Sequence, residues 1–162
     1  MPQWTFGPAT PDERTRRRET AIFGHLLSIT LGDVPLGGAA SGSTRTLATR
    51  GLIDTGASDV CIDYRLATEL ELKVINQTTV GVVGGSTMAS VYLGRLAVPE
   101  IGFDEVMPLY ALKVRQPTHA VLLGRSFLQN YIVTFDGPSG HFTVARREND
   151  DLLGSIEDDY AS

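Results

Sequence analysis

Apolar and polar residues alternate from Ile22 to Leu31, with Leu27, Ile29 and Leu31 on one face and Ser28 and Thr30 on the other. That period of two predicts a half-buried strand. Residues 32–43, "GDVPLGGAASGS", interrupt the pattern with Gly, Ser and Pro and predict a turn and loop. A second strand over 44–53 ends at Asp54, and a short apolar one covers Val60 to Ile62. "DYRLATELEL" changes the period: Leu66, Ala67 and Leu70 fall on one helical stripe, with Asp63 placed to cap it. Residues 78–98 read as two β-rich arms around a glycine-rich tip, and more strands are expected near 103–114 and 119–123. "GRSFLQN" carries no strand signal and predicts a helical turn over 125–130. The pattern closes with a hairpin, Tyr131 to Phe135 and His141 to Ala145, joined by "DGPSG". Many short strands, frequent turns and little helix predict an all-β, barrel-like domain.

A length of 162 residues fits one domain. Residues 1–20 hold three prolines and little periodicity, and are expected to form a flexible N-terminal extension. The folded domain is then expected over 21–147, with an acidic C-terminal tail at 148–162. Arg14, Arg16, Arg17 and Arg18 crowd one end and Glu148, Asp150, Asp151, Glu157, Asp158 and Asp159 the other; both runs read as solvated termini. The net charge of −5 argues against a nucleic-acid partner. No apolar run approaches the ~18 residues of a spanning helix, which argues against a membrane partner. The start lacks the apolar stretch of a secretory signal. A lone cysteine, Cys61, sits between Val60 and Ile62 and reads as a core thiol in a reducing compartment. Cytoplasmic localisation is the expectation.

The catalytic groups on offer are few. His25, His119 and His141 lie far apart with no Cys or His at ligand spacing, so neither a metal nor a cofactor is expected. No G-x-S-x-G elbow appears, and "GVVGG" lacks the lysine of a phosphate loop. Carboxylates remain, and Asp54 alone sits in an arranged setting: a strand runs straight into Asp54-Thr55-Gly56, then Ala57-Ser58. Asp-Thr-Gly by itself is weak evidence, arising by chance in roughly a few per cent of chains this long. "TFDG" at 134–137 is a decoy, because Gly follows Asp directly and Pro138 marks a hairpin turn.

Two further stretches give Asp54 its context. "LIDTGAS" (52–58), "VGVVGGS" (80–86) and "LLGRSFL" (122–128), in this order and spacing, resemble the retropepsin-like aspartic proteases, single-domain relatives of the viral dimeric enzymes. The resemblance runs from about Ile22 to Ala145 and implies the acid-protease barrel with one or two short helices. The first element looks like the catalytic loop, the second like the flap and the third like a supporting apolar-apolar-Gly element.

Metal-free peptide hydrolysis needs one carboxylate as base for a water and one carboxylic acid to protonate the carbonyl oxygen. Two carboxyls about 3 Å apart share one proton and fill both roles. The chain supplies one Asp-Thr-Gly, so the second Asp54 must come from a second copy, most simply across a twofold axis. The partners expected are thus the chain itself and a protein or peptide substrate.

The resemblance implies that Thr55 bonds across that axis, that Gly56 brings backbone close to the carboxylates, and that Ala57 and Ser58 meet substrate. It implies that Val80, Gly81, Val82, Val83, Gly84 and Gly85 form a mobile tip whose N–H groups bind substrate carbonyls, with Leu122 lining the cleft. Gly124 and Arg125 would give structural support, with Asp59 as the expected partner of Arg125. The corresponding bland readings are an ordinary turn at 54–56, a plain hairpin at 80–85, core packing for Leu122 and a solvated Arg125.

Two departures carry consequences. Ala57 stands where two-lobed relatives often have Ser or Thr; a hydroxyl there would favour the ionised aspartate, and alanine cannot. An activity optimum at weakly rather than strongly acidic pH follows. The tip also lacks a tyrosine, since Tyr92 lies on the returning arm, so pocket shape is expected from Val80, Val82, Val83 and Leu122, favouring apolar residues at the cut site. The function expected is a homodimeric aspartic endopeptidase. The alternatives are a catalytically weak dimeric peptide-binding or scaffold module on the same fold, and an unrelated barrel whose Asp-Thr-Gly is only a turn.

Overall fold

The computed structural model describes residues 1–35, 42–114 and 116–146. The acidic run 148–162, and much of the loop expected over 32–43, lie outside the described residues. The chain order is β1 (Gln3–Phe6), α1 (Glu13–Phe23), β2 (Leu26–Gly32), β3 (Thr46–Ile53), β4 (Cys61–Asp63), α2 (Tyr64–Glu69), β5 (Lys73–Val82) and β6 (Gly85–Val98). A 3-10 turn (Pro99–Ile101) leads into β7 (Phe103–Leu112), β8 (Val121–Leu123), α3 (Arg125–Leu128), β9 (Tyr131–Asp136) and β10 (His141–Arg146).

Six strands close a barrel in the order β2-β3-β8-β4-β7-β6, because β6 returns to β2 through Thr30↔Ala97, Leu31↔Leu96 and Gly32↔Arg95. Closure removes the open edges that a sheet of this size would otherwise present. The alternation read in β2 is the reason it fits: Leu27, Ile29 and Leu31 are buried in the barrel while Ser28 is exposed. Leu96, Val98, Leu109, Val121 and Leu123 meet them from the other strands. Asp63 caps α2, accepting from the Arg65 N–H at 3.1 Å, and Leu66, Ala67 and Leu70 are buried beneath it. The mostly-β barrel with short helices expected from the sequence is the fold observed.

A second, three-stranded sheet has the order β1-β10-β9. Phe142 and Val144 are buried in it, with Trp4, Phe6, Tyr131 and Val133 packed alongside. Phe6 stacks on Phe142 at 5.2 Å between ring centroids.

The first twenty residues differ from the expectation of a flexible extension, since they carry β1 and most of α1. Helix α1 has no buried residue, so it leaves no apolar stripe in the sequence. It is held by its ends. Asp12 caps it through the Thr15 N–H at 2.7 Å, and Gly24, at φ 79°, stops it. Arg16 fastens it sideways, donating to Thr10 O at 2.8 Å, Pro11 O at 2.6 Å and Ser139 O at 3.2 Å. Ile22 and Phe23 therefore finish a helix, and β2 starts at Leu26 instead of Ile22. Among the described residues, no helix is long and apolar enough to cross a membrane.

Candidate active site

Strand β3 delivers Asp54 to the surface between two neighbours. It pairs antiparallel with β2 and parallel with β8, through Gly51↔Val121, Leu52↔Leu122 and Ile53↔Leu123. The Asp54 N–H adds one more rung to Leu123 O at 3.1 Å, so the residue leaves the sheet with its backbone still held. The chain then turns: the Gly56 N–H donates to Asp54 Oδ1 at 2.9 Å and the Ala57 N–H to Asp54 O at 3.3 Å. A Cβ on residue 56 would stand 3.1 Å from that carboxylate oxygen, so glycine gives the backbone its close approach. Asp54 is half-buried and Thr55 exposed.

The loop is strapped from behind by the start of α3. N–H groups at a helix start have no partner in their own helix, and here they find the loop: Arg125 N–H donates to Ala57 O and Ser126 N–H to Ser58 O, both at 2.9 Å. Gly124 permits this approach, because a Cβ there would lie 2.2 Å from Asp59 O and 2.8 Å from Ala57 O. The Arg125 guanidinium then reaches across the turn. It donates to Thr55 O at 2.8 Å, Gly56 O at 3.2 Å and Ser58 Oγ at 2.9 Å. The expected ion pair with Asp59 is not found among the described residues; three neutral acceptors in the turn take up the fork instead.

Opposite the loop stands the β5–β6 hairpin, paired from Lys73↔Leu93 to Val82↔Gly85 with Val83–Gly84 as its two-residue turn. Gly84 has φ 89°, a left-handed conformation that fits the second central position of a type II turn. Val83 is fully exposed at the tip. Between hairpin and loop lies an open cleft of about 1370 Å³. Asp54, Gly56, Ala57 and Ser58 line it on one side, Val80, Gly81, Val82 and Val83 on another, and Leu122 beneath. Of the remaining residues singled out, Thr55, Gly84, Gly85, Gly124 and Arg125 stand outside the lining.

The cleft also has walls that the sequence did not reveal. Tyr64, Tyr92, Tyr110 and Asp59 join the valines and Leu122, so the pocket is not purely apolar. Tyr110 arrives through the parallel pairing Cys61↔Tyr110, a contact between strands far apart in the chain and without local signal. Cys61 is buried, and burial, aided by the Asp59 and Asp54 charges, pushes its thiol up to about 11. Burial and the Asp59 charge also raise the Tyr110 hydroxyl. Asp136, the decoy, accepts from the Ser139 N–H at 3.2 Å in the β9–β10 turn, as its Gly-Pro neighbours implied.

The family described as "gag-polyprotein putative aspartyl protease" matches residues 43–130, more than half of the chain. The chain belongs to this retropepsin-like aspartic protease family. The matched segment of the retropepsin-like chain holds the Asp54 loop, the β5–β6 hairpin and the Gly124-Arg125 strap together. A comparison with curated proteins found no match. Among solved structures, the chain is similar to the solution structure of simian foamy virus (mac) protease, at 16% identity and a TM-score of 0.41, over 65% of this chain and 92% of that one.

Proposed function

We propose that this chain is a homodimeric aspartic endopeptidase that hydrolyses peptide bonds with a water activated by two Asp54 carboxylates, one from each copy. The observation that carries the reading is the setting of Asp54. One carboxylate oxygen accepts from the Gly56 N–H at 2.9 Å, and the other has no partner among the described residues, at the edge of a cleft of about 1370 Å³. A peptide fits such a groove in extended form, between the loop and the hairpin.

Two facing carboxyls hold one proton between them. The ionised Asp54 takes a proton from water as the water oxygen attacks the scissile carbonyl carbon. The protonated Asp54 gives its proton to the carbonyl oxygen. Return of a proton to the amide nitrogen lets the C–N bond break, leaving a carboxyl and an amine. Exposed Thr55 bonds its counterpart across the axis. The β5–β6 hairpin acts as the flap, closing its Val83–Gly84 tip over substrate and excluding water. Val80, Val82, Val83 and Leu122 favour apolar side chains around the cut, and the buried free thiol of Cys61 suits the cytoplasm.

Cleavage profiling with a diverse peptide library between pH 3 and 8, run beside Asp54→Asn, tests the reading. Cleavage by the native chain that the variant loses supports it. Peptide binding by both with cleavage by neither supports the dimeric binding module instead.

A further inference from the structure

Among the described residues, three charged side chains line the cleft: Asp54, Asp59 and Lys113. The strand register sets them apart. Leu52, Leu122, Cys61 and Tyr110 stand in one row across β3, β8, β4 and β7. Asp54 lies two residues past that row in one direction, and Asp59 falls on the same side. Lys113 lies three residues past it in the other direction. Three strand spacings across and five residues along put Asp54 and Lys113 on the order of 20 Å apart. The groove is negative at one end and positive at the other.

Lys113 is exposed, and it has no ion pair or hydrogen bond among the described residues. Arg45 and Arg95, by contrast, are matched to Glu71 and Asp104. The lysine stem starts from a fixed point, because Leu112 pairs with Asp63 on one side of it and Val114 is buried on the other. Lys113 also lines a second hollow of about 490 Å³, together with Arg65, Gln116, Pro117 and Asp63. Asp63 is buried there as the cap of α2. The Arg65 guanidinium lies 5.5 Å from the Tyr64 ring centroid, and its Nε donates to the Tyr64 hydroxyl at 3.3 Å. Tyr64 is itself a wall of the cleft. The groove therefore runs past Tyr64 into a corner that carries three donor side chains, Lys113, Arg65 and Gln116.

We propose that this corner is a carboxylate subsite, in which Lys113, backed by Arg65, binds an Asp or Glu side chain of the peptide substrate. An extended peptide rises about 3.4 Å per residue, so the acid sits roughly four to six residues from the cut bond. The inference rests on the reading above, and the second copy repeats the subsite, so acids are selected on both sides of an apolar centre. The charge order of the groove fixes the register: Asp54 and Asp59 repel an acid placed near the cut, and Lys113 holds it at the far end. A basic side chain in the corner would meet two like charges.

The test uses peptides with an apolar pair at the centre and Asp, Asn or Lys at four, five or six residues on each side. Cleavage by the native chain is read as kcat/KM at pH 6, and binding to Asp54→Asn as Kd. An exposed ion pair is worth about threefold to fivefold at each end. The Asp peptides are therefore expected to be preferred over Asn by about tenfold at low salt, and much less at 0.5 M salt. Lys113→Met should bring that ratio to about twofold, Lys113→Met with Arg65→Gln should abolish it, and Lys113→Glu should turn the preference toward Lys, all with Tm near that of the parent. Equal handling of Asp and Asn by the native chain, or a preference that survives Lys113→Met or high salt, overturns the subsite and leaves the protease reading intact. Preferential binding of Asp peptides without cleavage supports the subsite and removes the protease. Neither binding nor cleavage of any peptide overturns both.

Discussion

The Arg125 guanidinium donates to the carbonyl oxygen of Thr55 at 2.8 Å, holding the turn that carries Asp54 from behind. It also reaches Gly56 O and Ser58 Oγ, so one side chain fixes three points of a five-residue loop. Arg125→Ala is expected to lower kcat at least about tenfold, through a misplaced Asp54, with little change in KM. Arg125→Lys recovers little, because a single ammonium cannot reproduce a fork aimed at two carbonyls and a hydroxyl. Steady-state kinetics on both variants check this.

Gly124 is expected to tolerate no side chain. A Cβ would stand 2.2 Å from Asp59 O, which is backbone and cannot swing aside. Gly124→Ala should cost about 3 kcal/mol or more, read as a shift of the urea midpoint.

Cys61 gives a pH signature with a defined sign. Its thiol titrates near 9.0 when free of the fold and at about 11 within it, because burial disfavours the thiolate. The folded chain favours the neutral form, so this contribution is complete below pH 9.0 and is lost as pH rises through about 11. Tm should fall over that window, and less steeply in Cys61→Ala. At pH 8, alkylation by iodoacetamide should be about a hundredfold slower in the folded protein than in urea, as followed by mass spectrometry.

Most of the barrel was legible because its strands alternate locally, as Leu27, Ile29 and Leu31 do, and because α2 announces itself through Asp63 and Leu66. The Asp54 loop, hairpin tip and Gly124-Arg125 turn were legible as three separate signals. Their junction was not, since Arg125 could be matched only to a charge, Asp59, when its partners are backbone carbonyls that no residue type advertises. Helix α1 escaped because nothing on it is buried, although Asp12 and Gly24 marked both ends. Tyr110 in the cleft depends on which strand pairs with β4, a choice made by the whole barrel.

Ala57 sets the expected acid limit of activity. Its N–H bonds Asp54 O, and its side chain offers no hydroxyl to the carboxylates. Ala57→Thr is expected to move the acid limb of the kcat/KM profile down by up to about one pH unit, the worth of one added hydrogen bond to the ionised form. A maximum below about pH 3.5 in the native chain, near an ordinary aspartate's own titration, contradicts the account of this position.

The central claim, that each catalytic unit draws one Asp54 from each of two chains, is tested most directly by subunit mixing. A fixed amount of native chain is re-equilibrated with increasing Asp54→Asn at concentrations that keep all chains dimeric, and peptide cleavage is measured. If both carboxylates are needed, a ninefold excess of the variant leaves about a tenth of the activity, because that is the share of native chains still paired with a native copy. Activity unchanged by the variant at any ratio would contradict the claim.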